Sequence, residues 1–299
     1  MTVGHEVKLC AGFPHRIGTD PDAIRGFVRA LEEARYDDLV AMDHVAGAHP
    51  DRLRGPMGGF ARAPYTYEDP FHEVFALFGY LAAVTTRIGL ATNVLVLPQR
   101  ETVLVAKQAA EVDVLSRGRL RLGVAVGWNS AEFGALGADY GTRGARIEEQ
   151  VAVLRNLWAE PLVTLDGRWH RLDRVGINPL PGRAIPIWMG SGPRDVSLRR
   201  VARLADGWIP LRQSSDELGP ALVRLRGYLA AAGRDPASFG LGLGLDLDDE
   251  PGRPDDWRRR LDELRALGAT HVTIRAGGAS TIGQQLDRLI EGKRVLDAG

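Results

Sequence analysis

Apolar positions along this chain fall into short unbroken runs, separated by longer stretches in which they recur every three or four residues. The short runs are Val7 to Cys10, Leu39 to Met42, Ile88 to Leu97, Leu120 to Val126, Ile185 to Met189, Gly207 to Leu211, Leu241 to Leu247 and His271 to Arg275. Each has the length of a strand, and most are apolar on both faces, as buried parallel strands covered by helices must be. The stretches between them predict helices. The first is opened by Asp20 as cap and Pro21 at the first helical position, with Ile24, Phe27, Val28, Leu31 and Ala34 on one face. Others run over Pro70 to Val84, Val103 to Leu115, Asn129 to Trp158 (broken around Gly134 to Gly144), the stretch up to Ala205, Leu218 to Ala232, Pro254 to Leu267 and Thr281 to Leu296. Strand, crossover helix and strand follow one another most clearly from Arg87 to Phe133. Eight strands alternating with helices predict an α/β fold of the (β/α)₈ TIM-barrel kind. Such a barrel takes ~250 residues, so the chain's 299 residues read as one domain, 1–299, with room for insertions. One insertion, placed at about 134–182, carries a β-hairpin from Leu162 to Leu172 turning at Asp166-Gly167. The other departure is a long irregular loop after strand 2, Val45 to Asp69, containing Gly47, Gly55, Gly58, Gly59, Phe60, Tyr65 and Tyr67. Loops this long inside compact enzymes are uncommon and usually functional or mobile. Together with Trp169 of the hairpin, their aromatics predict a pocket for an apolar or aromatic small-molecule substrate.

Composition narrows the function. Formal net charge is zero and charged residues are 25% of the chain, so no field favours nucleic acid or an anionic membrane. No apolar stretch reaches the ~20 residues a membrane span needs, and the N-terminus lacks the pattern of a signal peptide. The expectation is a cytoplasmic protein. With Cys10 the sole cysteine, an intramolecular disulfide is impossible, and the thiol reads as a small core hydrophobe. Arg258-Arg259-Arg260 reads as a solvated helix face. No His, Cys or carboxylate spacing points to a metal.

A barrel of this kind places chemistry at the C-terminal ends of its strands. That rule selects Asp43-His44, Thr92-Asn93-Val94, Gly127-Trp128-Asn129 and Gly190-Ser191-Gly192. Gly190-Ser191-Gly192 ends a strand and opens a helix, so its backbone N–H groups and the helix N-terminus suit a phosphate. The plain alternative is a tight turn that needs glycine. Asp195 in the first helical turn would repel an anion and is expected to face outward. His44 can carry a proton near neutral pH, or it can be a strand-end histidine satisfied by backbone. Asp43 could accept from a ring N–H or orient an imidazole, but neighbours on a strand face opposite ways, which argues against direct pairing with His44. Trp128 could wall a ring or belong to the core. The remaining histidines are scattered and read as structural or exposed.

The order and spacing of Ile88-Gly89-Leu90-Ala91-Thr92, Leu95-Val96-Leu97-Pro98, Ala106-Lys107-Gln108-Ala109-Ala110, Asp113-Val114-Leu115-Ser116, Gly118-Arg119, Leu122-Gly123-Val124, Gly127-Trp128-Asn129, Glu132-Phe133, Leu136-Gly137 and Arg143-Gly144 resemble a known family. It is the luciferase-like flavin-dependent monooxygenase and deazaflavin-dependent oxidoreductase superfamily, and the likeness spans about four fifths of the chain. The resemblance implies the same barrel and a flavin or deazaflavin bound at the four strand ends named above. It also implies a non-prolyl cis peptide at Asn93-Val94, a coenzyme contact at Asn129, and often a homodimer. In deazaflavin-dependent members an Asp-His pair contacts the coenzyme with the histidine near the hydride centre, which implies those roles for Asp43 and His44. Where sugar-phosphate dehydrogenases of the family carry a catalytic glutamate, this chain has Val126, which counts against a sugar phosphate. The leading expectation is an oxidoreductase that moves a hydride between coenzyme F420 and an organic substrate. The alternatives are a monooxygenase using reduced FMN in the same pocket and a non-catalytic flavin-binding barrel protein.

Overall fold

The computed structural model describes residues 6–53, 65–211, 215–248, 253–278 and 281–298; Gly55, Gly58, Gly59 and Phe60 lie outside them. Eight parallel strands close into a barrel: β1 (Lys8–Gly12), β2 (Asp38–Ala41), β3 (Gly89–Thr92), β5 (Leu120–Ala125), β8 (Ile187–Ser191), β9 (Gly207–Pro210), β10 (Gly240–Asp246) and β11 (His271–Arg275). The ring is sealed where β1 pairs with β11 and β3 with β5. The run from Ile88 to Leu97 is not one strand. It breaks at a cis Asn93-Val94 bond, and the two-residue β4 (Leu95–Val96) resumes pairing with β5. The expected cis bond is thus present, with one extra residue on this side between the two pairings with β5.

Helices α1 (Pro21–Glu33), α2 (Val74–Val84), α3 (Thr102–Leu115), α5 (Arg143–Ala159), α6 (Asp195–Leu204), α7 (Ser215–Ala231), α8 (Pro254–Ala266) and α9 (Ile282–Asp297) flank the strands, and a short α4 (Ser130–Ala135) follows β5. Asp20 caps α1 as expected, accepting from the N–H of Asp22 at 3.0 Å, with Pro21 at its first turn. Its buried face is Ile24, Phe27, Val28 and Leu31, each contributing about 1.5–3 kcal/mol by leaving water. The main core lies in this layer between barrel and helices, where Leu9, Leu39, Leu90, Leu122, Ile187, Trp208, Leu243 and Val272 point outward from the strands.

The inward positions follow a different rule. Along β10 they are Gly240, Gly242 and Gly244, alternating with buried Leu241, Leu243 and Leu245. Trp188 on β8 fills the space: a Cβ on Gly207 or Gly240 would collide with its indole. The Trp188 face carries the Arg121 guanidinium 4.4 Å from the ring centroid, and Arg121 pairs with Asp38 at 2.5 Å. Cys10, Val40 and Ala91 pack as a small apolar patch in the same interior.

The hairpin is confirmed as β6 (Val163–Asp166) and β7 (Arg171–Val175), but its turn differs from expectation. Residues 167–170 form a four-residue loop closed by the Gly167 N–H donating to the His170 carbonyl at 2.8 Å. Glu149 of α5 accounts for this, accepting from the N–H groups of Arg168, Trp169 and His170. The hairpin is therefore fastened to α5, and Trp169 lies beneath Arg168.

Candidate functional site

A cavity of about 540 Å³ opens at the C-terminal mouth, between the ends of β2, β4, β5 and β8, a size typical of small-molecule sites (~300–1,000 Å³). Asp43, His44, Asn93, Val94, Gly127, Trp128, Gly190, Ser191 and Gly192 all line it. Two expected residues stand behind its wall. Thr92 is buried and donates its hydroxyl to the Gly123 carbonyl at 2.7 Å, across the closest approach of β3 and β5. Asn129 is buried as the cap of α4, its side-chain oxygen accepting from the N–H groups of Ala131 and Glu132.

His44 is held by a carboxylate that the sequence reading did not single out as a site residue. Its Nδ1 lies 3.1 Å from Glu132 Oε2, and Glu132 is almost wholly buried. The same Oε2 accepts from the Tyr65 hydroxyl at 3.2 Å, while Oε1 accepts from the N–H groups of Val45 at 2.6 Å and Ala46 at 3.2 Å. Burial alone would raise the Glu132 pKa, but the hydrogen bond and charge of His44 and the two backbone donors outweigh it and hold the group below its usual range. Asn129 Nδ2 in turn donates to the Tyr65 hydroxyl at 2.8 Å. An ionised carboxylate only accepts, so the proton of neutral His44 sits on Nδ1 and Nε2 is the nitrogen left for chemistry. Tyr65 stacks on the imidazole with centroids 3.8 Å apart, and Phe71 and Trp128 present their rings edgewise at 5.2 and 6.3 Å.

Asp43 does not pair with His44; both lie past the end of β2 and line the same cavity. Its Oδ1 accepts from Arg100 at 2.6 Å and its Oδ2 from the Val96 N–H at 3.1 Å. Arg100 also bonds Glu73 at 3.0 Å. Asp43 thereby fixes the chain just past the cis bond. Beside it, Asn93 Oδ1 is buried with no hydrogen-bond partner.

The opposite end of the cavity is formed by the turn that follows β8. Gly190-Ser191-Gly192-Pro193 leads into α6, and Arg194, Ser197, Tyr140 and Arg143 complete the lining. Asp195 turns away to Arg224 at 3.3 Å, as expected. Arg143 lies over the Tyr140 ring at 3.6 Å, and its Nε is buried without a partner. A Cβ on Gly192 would meet nothing within 4 Å, whereas one on Gly190 would stand 2.9 Å from Val94 Cγ1 and 3.0 Å from Leu211 Cδ1. Gly192 keeps the approach to the turn open, and Gly190 makes room for the residue after the cis bond. His15, read from sequence as structural or exposed, also lines the cavity; burial and the charge of Arg16 lower its pKa and favour the neutral ring. Among the described residues no cluster of three metal-ligating side chains occurs and no helix is long and apolar enough to cross a membrane.

Comparison with known proteins places these features in context. Residues 5–247 match the family described as luciferase-like monooxygenase. An uncharacterized protein of Mycobacterium tuberculosis (strain ATCC 25618 / H37Rv) is 34% identical over 206 residues, covering 69% of this chain and 71% of its own. An F420-dependent glucose-6-phosphate dehydrogenase of Nakamurella multipartita is 29% identical over 220 residues, 72% of this chain and 60% of its own. Among solved structures, an F420-dependent secondary alcohol dehydrogenase in complex with an F420-acetone adduct shares the fold. Its TM-score is 0.78 at 15% identity, covering 97% of this chain and 99% of that one.

Proposed function

The chain belongs to the luciferase-like monooxygenase family, and we propose that it is an oxidoreductase passing a hydride between the deazaflavin coenzyme F420 and a small organic substrate. The observation that carries this reading is His44, set on the cavity wall with Nδ1 fixed by buried Glu132. The donor set fits the coenzyme. Asn93 Oδ1 is an unpartnered buried acceptor for a ring N–H, and Arg143 Nε is an unpartnered buried donor at the anion end. Gly192 leaves its turn open to a phosphate. Val94, Gly127 and Trp128 supply flat walls for a ring system.

When bound, the deazaflavin supplies a ring carbon that gives or takes a hydride. Hydride transfer to or from a carbonyl or alcohol carbon also moves a proton at oxygen, and the chain provides for it at His44 Nε2. With Nδ1–H directed to Glu132, neutral His44 can accept the substrate proton at Nε2, and the resulting imidazolium is stabilised by the carboxylate. Tyr65, Phe71 and Trp128 pack round the imidazole and hold its plane.

Titration of the purified protein with F420 and with FMN, each oxidised and reduced, tests the reading. Tighter binding of F420, and hydride exchange with a substrate without dioxygen, is the expected result. Preferential binding of reduced FMN with dioxygen consumption would replace it with the monooxygenase reading. Coenzyme binding with no turnover across a broad substrate panel would instead favour a non-catalytic flavin-binding barrel.

A further inference from the structure

A second cavity of about 320 Å³ enters the barrel beside the first, lined on the β9 to β11 side by Ile209, Gly242, Gly244, His271, Thr273 and Arg275. Asn93 and Leu211 line both cavities, so the two meet at the residue before the cis bond. At about 30 Å³ per water-sized group, the second space holds a molecule of roughly ten heavy atoms.

Arg275 dominates the mouth of this cavity, and two strands give way to admit it. A Cβ on Gly12 of β1 would stand 3.3 Å from Arg275 Cγ; one on Gly244 of β10 would stand 2.8 Å from its Nη2 and 3.0 Å from its Nη1. The guanidinium is laid inward across a strand that carries no side chain there. Among the described residues its only ion-pair contact is Asp246 at 3.7 Å from Nε, too long for a hydrogen bond. Its planar donors are thus free to grip a two-oxygen anion. Among the described residues the cavity's other cations already have partners, Arg260 bonding Glu263 at 2.8 Å. Arg121 is paired with Asp38, and burial together with Arg121 lowers the His271 pKa to about 3, leaving a neutral ring.

We infer that this cavity seats the substrate and that Arg275 holds its carboxylate, making the substrate a small organic acid. The inference rests on the oxidoreductase reading for the word substrate, but the anion site itself can be measured without coenzyme. Asp246 approaches Arg275 at Nε, which leaves Nη1 and Nη2 for the carboxylate.

The test is calorimetric titration with butyrate and with butyramide, which differ by a carboxylate against an amide of equal size. The wild-type protein is expected to bind butyrate about tenfold to a hundredfold more tightly than butyramide, the range for one charge-assisted bidentate contact. Arg275→Met should abolish the preference and leave F420 affinity within a few-fold; Arg275→Lys should restore only part of it. Gly244→Ala should reduce it independently, because the new methyl displaces the guanidinium. Equal binding of the two probes by the wild-type protein, or an unchanged preference in Arg275→Met, would overturn the inference. If F420 fails to bind while the butyrate preference and its loss in Arg275→Met persist, the coenzyme assignment falls and the anion site stands. If F420 binds and the preference is absent, the anion site falls alone.

Discussion

Replacing Glu132 by Gln alters a single atom in the arrangement around His44, and the consequence can be worked out from its four donors. The two backbone donors, Val45 and Ala46, share Oε1, and the amide oxygen of glutamine can keep both. The Oε2 position becomes an NH₂ group facing His44 Nδ1 and the Tyr65 hydroxyl. An NH₂ cannot accept, so the neutral imidazole must move its proton to Nε2 and turn Nδ1 into an acceptor. That leaves Nε2, the nitrogen proposed to handle the substrate proton, unable to accept one. Exchanging charge-assisted for neutral hydrogen bonds should cost about 1–2 kcal/mol of stability at neutral pH. Because the Glu132 pKa is depressed in the folded protein, its stabilisation is present above the ordinary carboxylate pKa of ~4.3 and disappears as pH falls through the lower folded value. The stability gap between wild type and variant should therefore be full at pH 7 and shrink below about pH 4. Turnover should fall by about 10²-fold or more, toward the ~10²–10⁴-fold that general acid–base groups contribute, with coenzyme affinity nearly unchanged. The direct assay is ¹⁵N NMR of the neutral imidazole, assigned by loss of its signals in His44→Asn. Wild type should show the proton on Nδ1 and Glu132→Gln should show it on Nε2. The same tautomer in both proteins would refute the reasoning, whatever the kinetics.

Three other outcomes follow from the site. His44→Asn should lower single-turnover hydride transfer by about 10²–10⁴-fold while the coenzyme dissociation constant stays within a few-fold; hydride transfer at the parental rate would reduce His44 to a wall of the pocket. Gly192→Val should weaken coenzyme binding roughly fivefold to thirtyfold, since an anion at a helix N-terminus is worth up to ~2 kcal/mol, with little change in thermal midpoint. It is a cleaner test than Gly190→Val, whose side chain would strike Val94 and Leu211. Cys10→Ala should retain most activity: burial, then the charge of Asp38, pushes the thiol pKa well up, so no thiolate is available, and complete inactivation of a folded variant would expose an unrecognised nucleophile.

The barrel was legible because its signal is distributed over eight apolar runs and their intervening helices. Local breaks were harder to read. Ile88 to Leu97 looks like one strand because the residues on both sides of the break are β-formers; its cis bond was expected only through the family likeness. Asp166-Gly167 has the form of a two-residue hairpin turn, yet Glu149, far away in sequence, gathers three backbone N–H groups and opens it into four residues. Of the site, the strand-end rule found His44, Asn93 and the Gly190 turn. It could not find Glu132, which sits in a helix after the strand and looks like the glutamate that often follows an Asn cap by three positions. Its burial is made tolerable by donors from residues 44–46 and 65, a meeting only the fold reveals. Arg275 was hidden for a similar reason: its inward course depends on glycines in two other strands.

The anchorage of Glu132 also bears on how this protein could diversify. Val45 and Ala46 begin the long segment after β2, Tyr65 lies near its end, and all three donate to the one carboxylate. A Cβ on Gly47 would collide with the Thr66 carbonyl, so the two arms touch at the neck. The segment is therefore suspended from a fixed clasp, and the clasp rather than the segment sets the histidine. Doubling the length of such a closed loop adds only about 0.6 kcal/mol of closure entropy. Whole replacements of the sequence between residues 48 and 64 could then be exchanged like cartridges while His44 keeps its alignment.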